Sequence, residues 1–509
     1  MKKLLFILAI VAISAPSFAQ SKTIKRIDKY IEESRELWNI PGMAVAIVKD
    51  GEVLLSKGYG AKDVRTNEPV DENTMFAIAS NTKAFTSAAL AVLVDESKMT
   101  WDDKVVDHLP YFQMYDPYVT QNMTVRDLLC HRSGLATFSG DLIWYGSSHS
   151  REEVIRRARH LEPVSDFRTD YGYQNIMFLA AGQVVASVSG QSWDDFIKER
   201  FLEPLGMKTA VTSVRDFTSE TNLAAPHNDI NGKNTAIEWV NWDNIAPAGA
   251  IVTGVDELTN WIKLQLGHGT LDSTQYWSEA QAQEMWSVHT PEHISGWSRS
   301  NFPTKTFRGY GLGWELNNIH GHKIVSHGGG YDGMISKTCL VPEEGLGFVI
   351  LTNNINWLSS ALTNRILEEF LSDEDCRDWA ADFHKFKTDG DAADAEAKIK
   401  AEEDRVKDTS PSLNLEAYAG TYGGEMYGNC IVRMVGDQLA FQFEPTPLFR
   451  GTFRHWHFDT FQLNWSSTMM LPSGTVQFVL GTDGKVEEMK IDVPNPDFDF
   501  TELEFKKLD

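Results

Sequence analysis

The stretch Phe76-Ala-Ile-Ala-Ser-Asn-Thr-Lys-Ala-Phe-Thr-Ser-Ala-Ala-Leu90 carries Ser80-x-x-Lys83 at its centre. The residues after Ser80 read as a helix. Ala84, Ala88, Ala89 and Leu90 are strong helix formers, and no Gly or Pro intervenes before Asp95. Three residues are nearly one helical turn, so Ser80 and Lys83 share a face. If Ser80 opens the helix, its hydroxyl sits at the positive end of the helix dipole, where peptide N–H groups can hold an oxyanion. A lysine buried there has its charged form disfavoured. It then becomes a base near neutral pH, which a serine nucleophile needs. By itself the spacing also describes an N-cap serine followed by a surface lysine, so the chemistry depends on what else the chain holds.

Two further motifs come later in the chain. Tyr173-Gln-Asn175 stands at the entrance of a small-residue, apolar helix, Asn175 to Ser187. His327-Gly-Gly329 ends a strand-like run that begins at Ile324. Taken singly, Tyr173 reads as a half-buried core aromatic and Asn175 as an N-cap. In this order, with the phrases Thr124-Val-Arg-Asp-Leu-Leu-Cys-His-Arg-Ser-Gly-Leu135, Glu203-Pro-Leu-Gly-Met207 and Tyr310-Gly-Leu-Gly-Trp314, the chain resembles the class C β-lactamase, DD-peptidase and D-aminopeptidase group of serine hydrolases. The resemblance runs from about Ile40 to Asn354. It implies Ser80, Lys83 and Tyr173 as catalytic residues, and Asn175, His327 and Gly329 as substrate-binding ones. It also implies an oxyanion hole from the backbone of Ser80 and Gly330. No metal or organic cofactor is implied. Typical β-lactamases have Lys-Thr-Gly at the third motif, a set that also marks penicillin-binding enzymes. Here His327-Gly328-Gly329 lacks both the cation and the hydroxyl.

At 509 residues, 42% hydrophobic and with 15 Trp, the chain has enough apolar material for more than one well-buried domain. A net charge of −24 disfavours nucleic acid or an anionic membrane as partner. The partner expected is a small molecule or short peptide as substrate; the oligomeric state is open. Lys2 and Lys3, the apolar run Leu4 to Ile13 and Ser17-Phe-Ala19 form a secretory leader over 1–19, with Gln20 as the mature start. The leader predicts a periplasmic or secreted protein. No later run is long enough to cross a bilayer. Cys130, Cys339, Cys376 and Cys430 show no Cys-x-x-Cys, and are read as free buried thiols in a core that needs no staple.

Met43 to Val48 and Val53 to Ser56 are strand-like around an Asp50-Gly51 turn, as are Met334 to Val341 and Leu346 to Thr352. Strands at both ends of this region with helices between predict an α+β (α/β-like) fold: an antiparallel sheet flanked by helices, plus a helical subdomain. The hydrolase domain spans 20–372. Residues 373–411 form a charged helical linker. Over 412–509 apolar and polar residues alternate at period two, giving an all-β, barrel-like domain that resembles the lipocalin-like module of some of these hydrolases. His320-Gly-His322 and His455-Trp-His457 are pairs without further ligands, and are read as structural. The expected function is a serine hydrolase working through a Ser-Lys-Tyr acyl-enzyme on a small amide, D-amino-acid peptide or ester. The alternatives are a true β-lactamase or DD-carboxypeptidase, and a penicillin-binding sensor or envelope binding protein without turnover. The barrel carries no Ser-Lys-Tyr set, so a chain ended near Ser372 is expected to keep its activity.

Overall fold

The computed structural model of the chain describes residues 2–372, 374–466 and 471–508, with side chains from residue 20 onward. The leader assigned to 1–19 lies outside the residues whose side chains are described. Helix α1 (Lys2–Leu37) leads into a hairpin of β1 (Gly42–Lys49) and β2 (Glu52–Gly60). Asp50 and Gly51 take φ values of 53° and 81°, the positive pair that a tight hairpin turn demands. After a long helical excursion the chain returns through β3 (Thr290–Pro291), β4 (Arg308–Tyr310), β5 (Glu315–Ile319), β6 (His322–Tyr331), β7 (Met334–Val341) and β8 (Leu346–Thr352). These strands form one antiparallel sheet in the order β2-β1-β8-β7-β6-β5-β4-β3. The two ends of the domain meet in it: Val45 of β1 lies opposite Ile350 of β8.

β1 reads as a continuous apolar run because both of its faces are covered. Met43, Val45 and Ile47 share a core with Ile27 and Ile31 of α1, with Trp38 just beyond it, and with Leu362 and Ile366. Ala44, Ala46 and Val48 belong to the opposite core, with Leu258 and Ile262. The covering helices are α2 (Thr82–Asp95), α3 (Asn175–Ser189), α4 (Val255–Leu266) and α5 (Leu358–Leu371). α2 is buried from Thr82 to Leu93, and its alanines let its neighbours come close. Phe85 stacks on Trp261 of α4 with ring centroids 3.6 Å apart. Thr124 and Asp127 form a full capping box at the start of the helix Val125–Leu128.

Helix α6 (Trp379–Asp404) comes next. Its first turn is anchored: Trp379 is buried and stacks on Phe302, and the Ala380 carbonyl accepts from the Trp38 indole at 3.0 Å. The C-terminal module is a closed barrel of β9 (Gly420–Gly424), β10 (Gly428–Val435), β11 (Gln438–Phe443), β12 (Arg450–His457), β13 (Thr460–Trp465), β14 (Gly474–Leu480), β15 (Val486–Asp492) and β16 (Phe505–Lys507). Closure leaves no free strand edge. Phe441, Phe453, Phe461 and Phe478 fill the interior, so it is a packed core. Residues Phe500–Glu502 form a 3₁₀ turn before β16 starts at Phe505. Cys130, Cys339 and Cys430 are free and buried, while Cys376 is partly exposed. Among the described residues no helix is long and apolar enough to cross a membrane.

The barrel does not stand clear of the hydrolase domain, which bears on the expectation for a chain ended near Ser372. The Ser148 amide donates to the Pro445 carbonyl at 2.8 Å, and Arg157 donates to the carbonyls of Glu425 and Met426 at 2.9 and 3.0 Å. The Gly140 amide donates to Glu502 at 2.8 Å, and Phe498 packs on Tyr145 with ring centroids 4.5 Å apart. A chain ended at Ser372 is now expected to unfold at a lower temperature than the full chain and to lose most of its hydrolysis of a small ester. Thermal unfolding and an ester assay on both chains check this. Equal melting and equal activity would mean that the junction contributes nothing.

Candidate active site

The peptide before Ser80 is pinned from several sides. Phe76-Ala77 pairs with Val252-Thr253, and the Ile78 amide donates to the Ile251 carbonyl at 3.0 Å. Ser336 of β7 donates to the Ile78 carbonyl at 2.6 Å and accepts from the Asn81 amide side chain at 2.7 Å. Between them Ala79 takes φ 46°, the left-handed region that costs an alanine strain energy. Ser80 then sits in a 3₁₀ turn, Ala79–Asn81, that runs into α2, which puts its hydroxyl at the mouth of the buried helix.

Lys83 is fully buried, and its Nζ has three oxygen neighbours: Ser80 Oγ at 3.0 Å, Asn175 Oδ1 at 2.7 Å and the Ala248 carbonyl at 3.0 Å. Burial lowers the Lys83 ammonium from its ordinary 10.5 to about 7, against an upward pull from Asp141. The Tyr173 ring lies 4.7 Å from Nζ. Burial raises its phenol well above the ordinary value, against its hydrogen bond to Ser80, so Tyr173 is neutral at neutral pH. His131 fixes this ring. It packs on Tyr173 at 4.1 Å, and its Nδ1 accepts from the Gln174 amide at 2.9 Å.

Asn175 opens α3 and uses both ends of its amide: Oδ1 accepts from Lys83, and Nδ2 donates to Asp141 at 2.6 Å. His327 lies in β6 and is 2% exposed. Its Nδ1 is 2.5 Å from the Gly328 carbonyl, which can only accept, so the proton is on Nδ1. Its Nε2 then accepts from the Tyr310 hydroxyl at 2.7 Å. Burial lowers the imidazole to about 4. Both His327 nitrogens are thus engaged within the protein. At Gly329 a Cβ would come within 2.3 Å of Ser336 Oγ, 2.4 Å of the Ile78 carbonyl and 3.0 Å of the Ser80 amide. A side chain at Gly328 or Gly330 would meet nothing closer than 3.8 Å.

Ser80, Tyr173, Asn175, His327 and Gly328 to Gly330 line a cleft of about 500 Å³. Asp141, Glu315, Asp332 and Asp497 line it as well, and among the described residues no arginine or lysine does. Leu471, Asn495, Asp497 and Phe498 come from the barrel. Asp141, the Ala248 carbonyl and the barrel wall escape a reading of the sequence. Ala246-Pro-Ala-Gly-Ala250 reads there only as a loop, Tyr310 only as part of a connecting phrase, and Asp141 carries no motif at all.

Known proteins agree with this architecture. The beta-lactamase family matches residues 27–369, and a domain of unknown function, DUF3471, matches 404–507. The unguisins hydrolase ungD' of Aspergillus campestris is 29% identical over 420 residues, covering 78% of this chain and 75% of that protein. Protein flp of Staphylococcus aureus (strain N315) is 29% identical over 337 residues, 65% of this chain and 63% of that one. Two solved structures share the fold. The octameric penicillin-binding protein homologue of Pyrococcus abyssi has TM-score 0.60 and 19% identity, over 95% of this chain and 100% of its own. The D-amino acid amidase of Ochrobactrum anthropi SV3 has TM-score 0.56 and 20% identity, over 68% and 98%.

The contact at Gly329 gives a test. Gly329→Ala must push β6 away from the Ser80 turn. We expect a loss of at least tenfold in kcat/KM, with Gly328→Ala, which meets open space, losing much less. Ester kinetics on both variants decide, and equal losses would remove any special closeness at Gly329.

Proposed function

The chain belongs to the beta-lactamase family of serine hydrolases, and from this we propose that it hydrolyses a small amide, D-amino-acid peptide or ester through a Ser-Lys-Tyr acyl-enzyme. The observation that carries the reading is the cradle around Lys83. A neutral amine has two N–H bonds and one lone pair. Asn175 Oδ1 and the Ala248 carbonyl can only accept, so they take the two N–H bonds. The lone pair is left for the Ser80 hydroxyl at 3.0 Å. Lys83 therefore removes the proton as Ser80 attacks the carbonyl carbon. The amides of Ser80 and Gly330 receive the oxyanion that forms. Tyr173, a neutral phenol bonded to Ser80, passes a proton to the leaving group. Water then attacks the acyl-enzyme with the same groups working in reverse, releasing the acid and restoring Ser80.

The walls of the cleft favour uncharged acyl groups. A carboxylate-bearing β-lactam would meet a neutral His327, a Gly328 without a hydroxyl, and the carboxyl groups of Asp332 and Asp497, while Lys337 is held in an ion pair with Glu315 at 3.1 Å. Loss of one hydrogen bond to a charged group costs about 1.5–3 kcal/mol, on the order of ten- to a hundredfold in affinity. The D-amino acid amidase among the similar structures supports an amide.

Ser80→Ala is expected to abolish both turnover and labelling by a fluorophosphonate, read by intact mass. Lys83→Ala should cost about two to four orders of magnitude in rate. The active lysine is the neutral form, so kcat/KM should rise with pH through about 7 as Lys83 loses its proton. A D-alanyl amide or a short ester should outperform a chromogenic cephalosporin in kcat/KM. His327→Lys with Gly328→Thr should narrow that gap. Unimpaired labelling of Ser80→Ala sinks the mechanism, and a wild-type preference for the cephalosporin makes the protein a β-lactamase.

A further inference from the structure

Asp141 has no part in the steps above, yet it is 3% exposed and stands two hydrogen bonds from the base. It opens the short helix Asp141–Trp144 after Gly140, whose φ of 78° turns the chain sharply inward. Oδ1 accepts from the Trp144 indole at 2.8 Å, and Oδ2 accepts from Asn175 Nδ2 at 2.6 Å. Resting on the Ser80–Lys83 reading, we propose that Asp141 is a positioning residue for the acylation step, acting on Lys83 through the Asn175 amide.

The argument is one of donors and acceptors. An asparagine amide can present either its oxygen or its NH2 to a neighbour, and the two ends have nearly the same shape. With the NH2 towards Lys83, two donors would face each other and the lysine would lose an acceptor for one N–H. The lone pair would then have no reason to point at Ser80. A carboxylate only accepts, so Asp141 captures Nδ2 and leaves Oδ1 for Lys83. The Trp144 indole holds the carboxylate in place from the other side.

Charge adds a second effect. The titratable groups around Lys83 are Asp141, Tyr173, His131 and His327. Burial keeps both histidines neutral and raises the Tyr173 phenol. Asp141 is thus the one charge the lysine feels, and it raises the lysine against the effect of burial. Burial raises the Asp141 carboxyl to about 7, while the Trp144 and Asn175 bonds and Lys83 pull it down and Glu502 of the barrel pushes it up, so the anion that orients Asn175 forms over the same pH range in which Lys83 becomes neutral.

Asp141→Asn keeps the shape and removes the charge and the obligate acceptor. Steady-state kinetics on a short ester across pH 5–9 should show kcat down by about ten- to a hundredfold with KM changed by less than about twofold. The acid limb of kcat should move to lower pH, because a lysine without its anion gives up its proton more readily. Unchanged kcat, or a lower kcat with an unmoved limb, overturns the proposal, since a purely structural role would not shift the limb. Should Asp141→Asn fail to melt cooperatively, Trp144→Phe decides instead. It leaves the carboxylate and removes one donor, which raises the Asp141 carboxyl and weakens its charge on Lys83. The limb should then shift in the same direction by a smaller amount, and no shift overturns the proposal. Ser80→Ala and Lys83→Ala run beside them. Activity surviving in those two defeats the underlying mechanism, whereas their inactivity with a wild-type-like Asp141→Asn defeats only the role of Asp141.

Discussion

The burial of one amine governs this structure. Lys83 Nζ lies where a charged ammonium loses its water and has no ion-pair contact to replace it, a cost of several kcal/mol for a charged group. The protein offsets this by letting the amine lose its proton at about pH 7 and by giving each N–H an oxygen. Those oxygens come from distant parts of the chain, the start of α3 and the carbonyl of Ala248. The sheet, the all-buried α2 and the pairing of Phe76-Ala77 with Val252-Thr253 bring them within hydrogen-bonding distance. The left-handed Ala79 belongs to the same construction, since strain next to the nucleophile persists only where the surroundings over-determine it.

How much of this the sequence discloses depends on the kind of interaction involved. β7 and β8 are legible to the residue: β8 is an apolar run buried on both faces, β7 carries β-branched residues and an apolar end, and a Pro-Glu-Glu-Gly turn separates them. The capping box of Thr124 and Asp127 is legible because both partners lie within one turn of chain. Ser80, Lys83, Tyr173 and Asn175 stand out as an ordered set, and the fold brings them together. Asp141 is invisible, since its meaning depends on Asn175, which only tertiary structure places beside it. Ala248 contributes a carbonyl, which every residue has. β9, Gly-Thr-Tyr-Gly-Gly, is poor in strand formers, and it exists because closing the barrel requires a strand between β10 and β16.

The docking of the barrel is hidden for a related reason. Its contacts to the hydrolase domain lean on backbone carbonyls, those of Glu425, Met426, Tyr427 and Pro445, beside the Glu502 carboxylate, the Thr446 hydroxyl and the Phe498 ring on Tyr145. Backbone acceptors carry no side-chain signature, so a module joined through them looks independent in the sequence. In the structure it supplies Phe498 and Asp497 to the cleft and holds the Gly140 amide next to Asp141.

The third motif shows how burial can reverse what a residue type suggests. A histidine where related enzymes have a lysine looks like a weaker handle for an anionic substrate. His327 goes further, because both of its nitrogens are engaged, Nδ1–H to the Gly328 carbonyl and Nε2 to the Tyr310 hydroxyl. Protonation would put a second donor against Tyr310, in a site that water barely reaches, and burial accordingly lowers the ring to about 4. His327 therefore shapes the cleft as a neutral wall across the pH range in which Lys83 loses its proton. The charged groups around Ser80 are then the carboxyl groups of Asp141, Asp332 and Asp497, the Glu315–Lys337 ion pair, and an amine that loses its proton at about pH 7. Under the proposed mechanism such a field would oppose the negative group that a penicillin carries, and the oxyanion would fall to backbone amides, whose dipoles are fixed by the fold and do not titrate.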